Sequence, residues 1–193
     1  MADKSDFTPE EWKLLLGSVM MAGIAVTVSE PSGLWGLLKE SFAGGSALAQ
    51  ARIDVGTNAL VNALVSDLET AQGRIAARDG LKESLAQSSP TEVKANCIKA
   101  LRHAAILVEV KCADDAPAFK AWLHRISWHV AEVAREDACH GSATAAVSAA
   151  EQATLGEIAS ALELAASEPQ RPEDWTATRK SSRTLPNGIG TGS

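Results

Sequence analysis

The chain has 193 residues, of which 46% are hydrophobic, enough for one domain with a sizeable core or for two small ones. Its formal net charge is −6, which argues against general nucleic-acid binding, because that activity needs Lys and Arg concentrated on one face. The aromatic residues are five Trp and three Phe with no Tyr, so much of the core must consist of Ala, Val and Leu side chains. Such a composition favours close-packed helices over sheets.

The first predicted helix begins at Pro9, with Thr8 as its cap and Glu11 closing a capping box. Residues 14–28 are almost free of charge, which predicts a helix that is buried on most sides. The uncharged run is shorter than the roughly 20 residues that a membrane-spanning helix needs. A hairpin over 14–42 that meets a lipid surface remains the alternative.

A break at 29–33, which contains Pro31 and Gly33, separates this helix from a short second one over 34–43. The longest predicted helix follows over 47–77, with a bend near Gly56 or Gly73. A turn is predicted at Asp79 and Gly80, and a further short helical turn over 81–87. The stripe that should face the core in the long helix consists of Val61, Leu64, Leu68, Ala71 and Ile75.

The second half of the chain repeats the helix-start pattern at Ser89, Pro90 and Glu92. The helix that opens there runs to about Cys112, and another runs from about 117 to 137. After a loop over 141–144, Ser148 and Glu151 predict a third capping box. The inward positions of these three helices are, in order, Val93, Cys97, Leu101, Ala105, Val108 and Cys112; Phe119, Trp122, Ile126, Val130 and Val133; and Leu155, Ile158, Leu162 and Ala165.

The segment 168–193 contains three prolines and shows no helical or strand periodicity, so we predict a disordered tail. The remainder is predicted to be all-α, a single compact bundle of about six helices over 1–167. A weak two-fold rhythm suggests two similar halves, 8–87 and 88–167.

No catalytic, cofactor-binding or metal-binding motif stands out. Cys97 and Cys112 lie on the apolar stripe of one helix and are interpreted as small core residues. Cys139 and His140 adjoin each other in a loop and lack an identified base or orienting partner, so a catalytic pair there is the less favoured interpretation. His129, Glu132 and Glu136 share a helix face and would need further ligands to hold a cation. An odd number of Cys indicates a reducing compartment, and we expect the cytoplasm.

Four residues are candidates for partner contacts. Trp128 points away from the apolar stripe of its helix, on the side of His124 and Arg135, where it either packs under another helix or marks an interface. Trp175 is the only aromatic residue in the tail and precedes several basic residues, as in a docking peptide that orders on binding.

The segments FTPEEWKLLL, SGLWGLLKESFA and VSAAEQATLGEIASAL resemble an uncharacterised family of small bacterial all-helical proteins. More distantly, the helical layout resembles the TerB-type proteins of tellurite resistance. That second resemblance implies acidic residues for cation binding, and no equivalent set occurs in this chain. The ending LPNGIGTGS is similar to the Gly-Ile-Gly-containing tails that load cargo into encapsulin shells, although the leucine expected after that element is missing.

We therefore expect a soluble, non-enzymatic helical protein that acts through protein contacts, as a homo-oligomer or as a stress-associated or assembly component. One alternative is a peripheral membrane protein that uses the hairpin 14–42, and another is a cargo-like protein that docks through its tail. An enzyme with Cys139 or His140 in its site is less favoured than these.

Overall fold

The computed structural model describes residues 2–29, 52, 58–86, 88–89, 91–138 and 147–164, with residues 134–138 described by their backbone alone. Within these ranges the chain forms one short 3-10 turn, Lys4–Asp6, six α-helices and no β-strand. The helices are α1 (Pro9–Thr27), α2 (Ala59–Glu69), α3 (Ala71–Leu85), α4 (Val93–Lys111), α5 (Ala116–Ala138) and α6 (Ala149–Ala161). The predicted all-α class is confirmed. The short helix predicted over 34–43, the loop 141–144 and the tail 168–193 lie outside the described residues.

Helix α1 is the centre of the fold. The Thr8 hydroxyl accepts a hydrogen bond from the Glu11 N–H at 3.2 Å, and the Glu11 carboxylate accepts one from the Thr8 N–H at 2.7 Å, as the sequence predicts. Every residue from Leu15 to Thr27 is buried, and α1 packs against α3, α4, α5 and α6. The apolar run is thus a core helix. None of the helices in the described ranges has the length and apolar character needed to cross a membrane.

Helices α1 and α3 approach each other at glycine. A Cβ added to Gly80 would lie 2.2 Å from the Lys13 carbonyl oxygen, and one added to Gly17 would lie 3.0 Å from the Leu81 nitrogen. The prediction of a turn at Asp79 and Gly80 is wrong, because both residues lie inside α3. Gly80 allows α3 to pack closely against α1 and does not form a turn. Sequence patterns near Gly80 do not indicate this role, because α1 is distant in sequence.

The long helix predicted over 47–77 is interrupted at Thr70, and its part before Asn58 lies outside the described residues apart from Arg52. The Thr70 hydroxyl accepts the Gly73 N–H at 2.9 Å and donates to the Asp67 carbonyl at 2.7 Å, so it ends α2 and caps α3. Since the chain changes direction there, the predicted stripe does not continue. Ala71 is exposed and Ile75 is 49% exposed. The face of α3 that is buried consists instead of Gly73, Ala77 and Gly80.

Two further expectations need correction. Helix α4 begins at Val93, and Ser89 does not cap it, because the Glu92 N–H donates to the Ser89 carbonyl in a turn that precedes the helix.

Val133 is predicted on the core face of α5 but is 41% exposed. Ser127 of α5 bonds the Ala22 carbonyl, so the last turns of α5 extend beyond the end of α1. The capping box at Ser148 is present as predicted.

The polar contacts define how the helices are arranged around α1. Lys111 at the end of α4 bonds Glu11 at the start of α1 at 2.6 Å, so these two helices are antiparallel. Helix α6 lies against α4 and α5, with Lys94 of α4 bonded to Glu157 of α6 at 2.8 Å. Helix α4 packs against α1, α3, α5 and α6, and its side that carries Ile106 and Val110 is exposed.

Candidate interaction surface

Helix α4 divides cleanly into an inner and an outer face. Its buried residues recur at helical spacing and are Val93, Cys97, Ala100, Leu101, Ala104, Ala105 and Val108. This agrees with the predicted stripe, except that Cys112 is half-buried. The outer face is formed by Lys99, Arg102, His103, Ile106 and Val110, all exposed and all within about 100° of one another around the helix axis. We call these five residues the α4 patch.

The apolar end of the α4 patch is unusual among the described residues. The Val110 residue is 80% exposed and Ile106 is 44% exposed, and the two lie one turn apart on the same side of the helix. Ile75 and Val133 are the other large apolar residues that are exposed in the described ranges, and each belongs to a different helix. Single exposed apolar residues are normal on a protein surface, whereas adjacent ones can form the centre of a contact.

The charged end of the α4 patch is basic in an acidic protein. Helix α4 carries four cationic residues against one anionic residue, Glu109, a net charge of +3 in a chain of net charge −6. Lys94 and Lys111 pair with Glu157 and Glu11, and Glu109 pairs with the buried Lys120 of α5. Lys99 and Arg102 have no ion pair within the described part of the chain.

A polar cleft adjoins the basic end of the patch. It lies between the end of α3 and the first half of α4 and has a volume of about 370 Å³. Lys99 and His103 line both the cleft and the patch, and Glu83, Ser84 and Ser88 line its opposite side. Asn96 and Ser88 also line the cleft, and the Asn96 amide donates to the Ser88 hydroxyl at 2.7 Å. The α4 patch therefore has an apolar end, formed by Ile106 and Val110, and a basic end that borders the polar cleft.

The four residues predicted from sequence for partner contacts are not all brought together. His124 is half-buried on α5 and hydrogen-bonds to the backbone of Leu155 on α6. Trp128, one turn further on, is half-buried and packs against the hydrophobic core. Arg135 belongs to α5, but its side chain lies outside the described residues, as does the whole of Trp175.

The setting of His124 affects its protonation. Burial lowers the pKa of His124 below its ordinary value, and the positive charge of Arg125 lowers it further, while the hydrogen bond to the Leu155 backbone opposes the change. The neutral imidazole is therefore favoured in the contact between α5 and α6.

A second polar cluster, not foreseen from the sequence, holds the first residues of the chain. Asp67 accepts the Trp12 indole N–H at 2.6 Å and the Lys4 ammonium at 2.9 Å on the same oxygen, Oδ2. Burial raises the pKa of Asp67, but these two hydrogen bonds, together with the charge of Lys4 and a hydrogen bond with Thr70, outweigh that effect, and the pKa lies below its ordinary value. Nearby, the backbone N–H of Ala2 donates to Asp115 at 2.9 Å. A cavity of about 360 Å³ adjoins the Asp67 cluster. The role of these contacts is to anchor the 3-10 turn to the helical bundle.

The described cysteines are not reactive in this fold. Burial raises the pKa of Cys97 to about 12. Burial also raises the pKa of the half-buried Cys112, and the negative charge of Asp115 adds to the increase. Both thiols are protonated at neutral pH, and a protonated thiol is a poor nucleophile. No group of three or more potential metal ligands occurs in the part of the chain that the structure describes. Cys139 and His140 lie outside that part.

Comparison of the chain with protein-family models, with curated proteins and with solved structures finds no match.

Proposed function

We propose that this protein acts without catalysis, through protein–protein contacts, and that the α4 patch binds an acidic amphipathic helix of a partner protein. The observation that carries the proposal is the 80% exposure of Val110 beside Ile106, on the same helix face as two cations without ion pairs in the described residues. The sequence led us to expect protein contacts in general, and we now propose the α4 patch as the surface that makes them.

The apolar end of the patch would supply binding free energy. Burial of apolar surface contributes about 25 cal/mol per Å² removed from water, so covering two aliphatic side chains is favourable. Both residues sit on a regular helix whose opposite side is fixed in the core, so little conformational entropy is lost on binding. An aliphatic side chain of a partner helix suits this apolar end, because helices dock through anchors spaced three, four and seven residues apart.

The basic end would supply specificity and orientation. Lys99 and Arg102 lie on the side of α4 that carries Ile106, so carboxylates of a bound helix can reach them while its apolar residues cover the apolar end. From Lys99 to Val110 the patch spans about 16 Å at 1.5 Å per residue, close to three turns of a partner helix. Charged groups at the edge of an interface mainly set the association rate and the choice of partner.

The experiment uses two synthetic helical peptides of about 18 residues, or five turns. Both carry Leu at positions i, i+3, i+4 and i+7; the acidic probe has Glu on its polar face and the basic probe has Lys there. Fluorescence anisotropy with the full chain should show binding of the acidic probe that weakens as salt increases, and much weaker binding of the basic probe.

Two matched substitutions locate the contact. Val110→Glu should weaken binding of the acidic probe by about ten-fold or more, equivalent to about 1.4 kcal/mol. Ile75→Glu makes the same chemical change at another exposed apolar residue, on α3, and should leave the affinity unchanged. Equal binding of both probes, or an unchanged affinity in the Val110→Glu chain, would refute the proposal.

A further inference from the structure

We infer that residues 168–175 of this chain, Glu-Pro-Gln-Arg-Pro-Glu-Asp-Trp, dock on the α4 patch of the same molecule and compete with an acidic partner helix. The competition rests on the proposed function, whereas the docking itself does not. The patch would then be regulated by the chain's own C-terminal segment, and a partner would have to displace that segment in order to bind.

The first support is the point where the chain leaves α6. Glu163 adopts a left-handed conformation, with φ of 52°, and the Leu164 N–H bonds back to the Ala159 carbonyl at 3.0 Å, which ends the helix. The Glu163 carboxylate lies 3.9 Å from the Lys120 ammonium, and the same ammonium bonds Glu109 of α4. Glu163, among the last described residues after α6, therefore lies near the C-terminal end of α4, where Val110 is also located.

Reach does not limit the contact. Residues 165–175 span up to about 36 Å when extended, at about 3.3 Å per residue. The patch is only about 16 Å long, as follows from the helical rise per residue. A tether of this length holds its far end at an effective concentration in the millimolar range, so even a weak contact would be populated.

The second support is charge and shape complementarity. Segment 168–175 carries three acidic residues, Glu168, Glu173 and Asp174, against one basic residue, Arg171. The acidic pair directly precedes Trp175, so carboxylates and a large apolar side chain are neighbours in the segment, as cations and apolar residues are on the patch. Trp is enriched among the residues that contribute most to binding. It is also the only aromatic residue after α6.

The two prolines define the form in which the segment would bind. Pro169 and Pro172 oppose a continuous helix, because each lacks a backbone N–H and constrains the residue before it. The docked segment would therefore be extended and would make fewer regular contacts than a partner helix. That difference allows a partner helix to replace it.

Photo-cross-linking of the full chain tests the docking. Val110 is replaced by p-benzoylphenylalanine, a 1:1 mixture of ¹⁴N- and ¹⁵N-labelled protein is irradiated, and the cross-linked peptides are identified by mass spectrometry. We expect links from position 110 to the peptide that contains Trp175, with both peptides of each pair carrying the same label. The same cross-linker in place of Ile75 is the matched control and should not reach that peptide.

Two results would overturn the inference. Cross-linked pairs of mixed label would show that the segment reaches a second copy of the chain instead of its own patch. Links from position 110 to other sites only, with none to residues 168–175, would show that the segment does not dock there.

A second measurement separates this inference from the proposed function. The acidic probe is titrated into the full chain and into a full-length Glu173→Lys/Asp174→Lys/Trp175→Ala variant. We expect the variant to bind several-fold more tightly, since its own segment no longer competes. Equal affinities would refute the competition and leave the proposed function standing. No binding to either chain would refute the proposed function, while the cross-links would still report the docking.

Discussion

The Trp12 indole N–H donates to Asp67 Oδ2 at 2.6 Å and joins the first turn of α1 to the end of α2. Lys4 bonds the same oxygen at 2.9 Å. Trp12 is only 2% exposed, so its N–H has no easy access to water if the carboxylate is removed. The contact therefore links the start of the chain to the helix pair α2–α3.

We expect Asp67→Ala to lower the free energy of unfolding by about 1–3 kcal/mol, the usual cost of a buried donor without a partner. Asp67→Asn keeps an oxygen that can accept the indole N–H and loses only the charge, so its effect should be smaller. Urea unfolding of both variants measures the difference. Equal destabilisation by the two substitutions would mean that the hydrogen bond from Trp12 is not the important contact.

The same residue predicts a pH dependence. Because the pKa of Asp67 is lower in the folded state than in the unfolded state, the unfolded chain binds a proton more readily as the pH falls. The stability that Asp67 contributes is complete above its ordinary pKa, about 3.9, and is lost as the pH falls through the lower folded value. The Asp67→Asn chain should therefore lose less stability than the wild type below about pH 4. Parallel unfolding curves for the two chains over this range would contradict the expectation.

Gly80 and Gly156 form a matched pair within helices. A Cβ at Gly80 would collide with the Lys13 carbonyl, whereas one at Gly156 would meet nothing within 4 Å. Gly80→Ala should destabilise the fold by about 1–3 kcal/mol, because α1 and α3 must separate. Gly156→Ala should stabilise it by about 0.5–1 kcal/mol through helix propensity. Thermal unfolding of both variants measures the difference. A Gly80→Ala chain that unfolds at the temperature of the wild type or above it would show that α1 and α3 are packed less closely at this glycine.

His124 predicts a second loss of stability in weak acid. Burial, then Arg125, lowers its pKa below 6.5, so the unfolded state takes up a proton first as the pH falls. The free energy of unfolding should decrease from about pH 7 to about pH 5, the range in which histidine titrates. His124→Gln should reduce that slope. An NMR titration of the His124 ring that gives a pKa at or above the ordinary value would refute this prediction.

Local signals in the sequence are sufficient to predict the class and most helix starts. Thr8 and Ser148 cap their helices as predicted, because a capping box depends only on residues within one turn. The role of Gly80 could not be predicted in this way, since it depends on the distant Lys13 backbone. The predicted bend near Gly73 lies close to the observed break, but the sequence did not indicate a full break at Thr70, because threonine is also compatible with a helix interior.

The surface was harder to predict than the fold. Trp128 was chosen as a candidate for partner contacts because it is aromatic and lies opposite the apolar stripe. In the structure it packs against the core. The positions opposite the apolar stripe of α4 could be identified from the same periodicity, but their exposure depends on where the other helices lie. In the described part of the chain, α4 packs against α1, α3, α5 and α6, and Ile106 and Val110 are exposed.

A charge-swap binding experiment tests the central claim most directly. The full chain and a Lys99→Glu/Arg102→Glu variant are each titrated with the acidic and the basic probe peptides at low salt. If the α4 patch selects an acidic helix, the wild type prefers the acidic probe and the variant prefers the basic probe, each by about ten-fold or more. If the substitutions leave the preference unchanged, the α4 patch is not the binding surface.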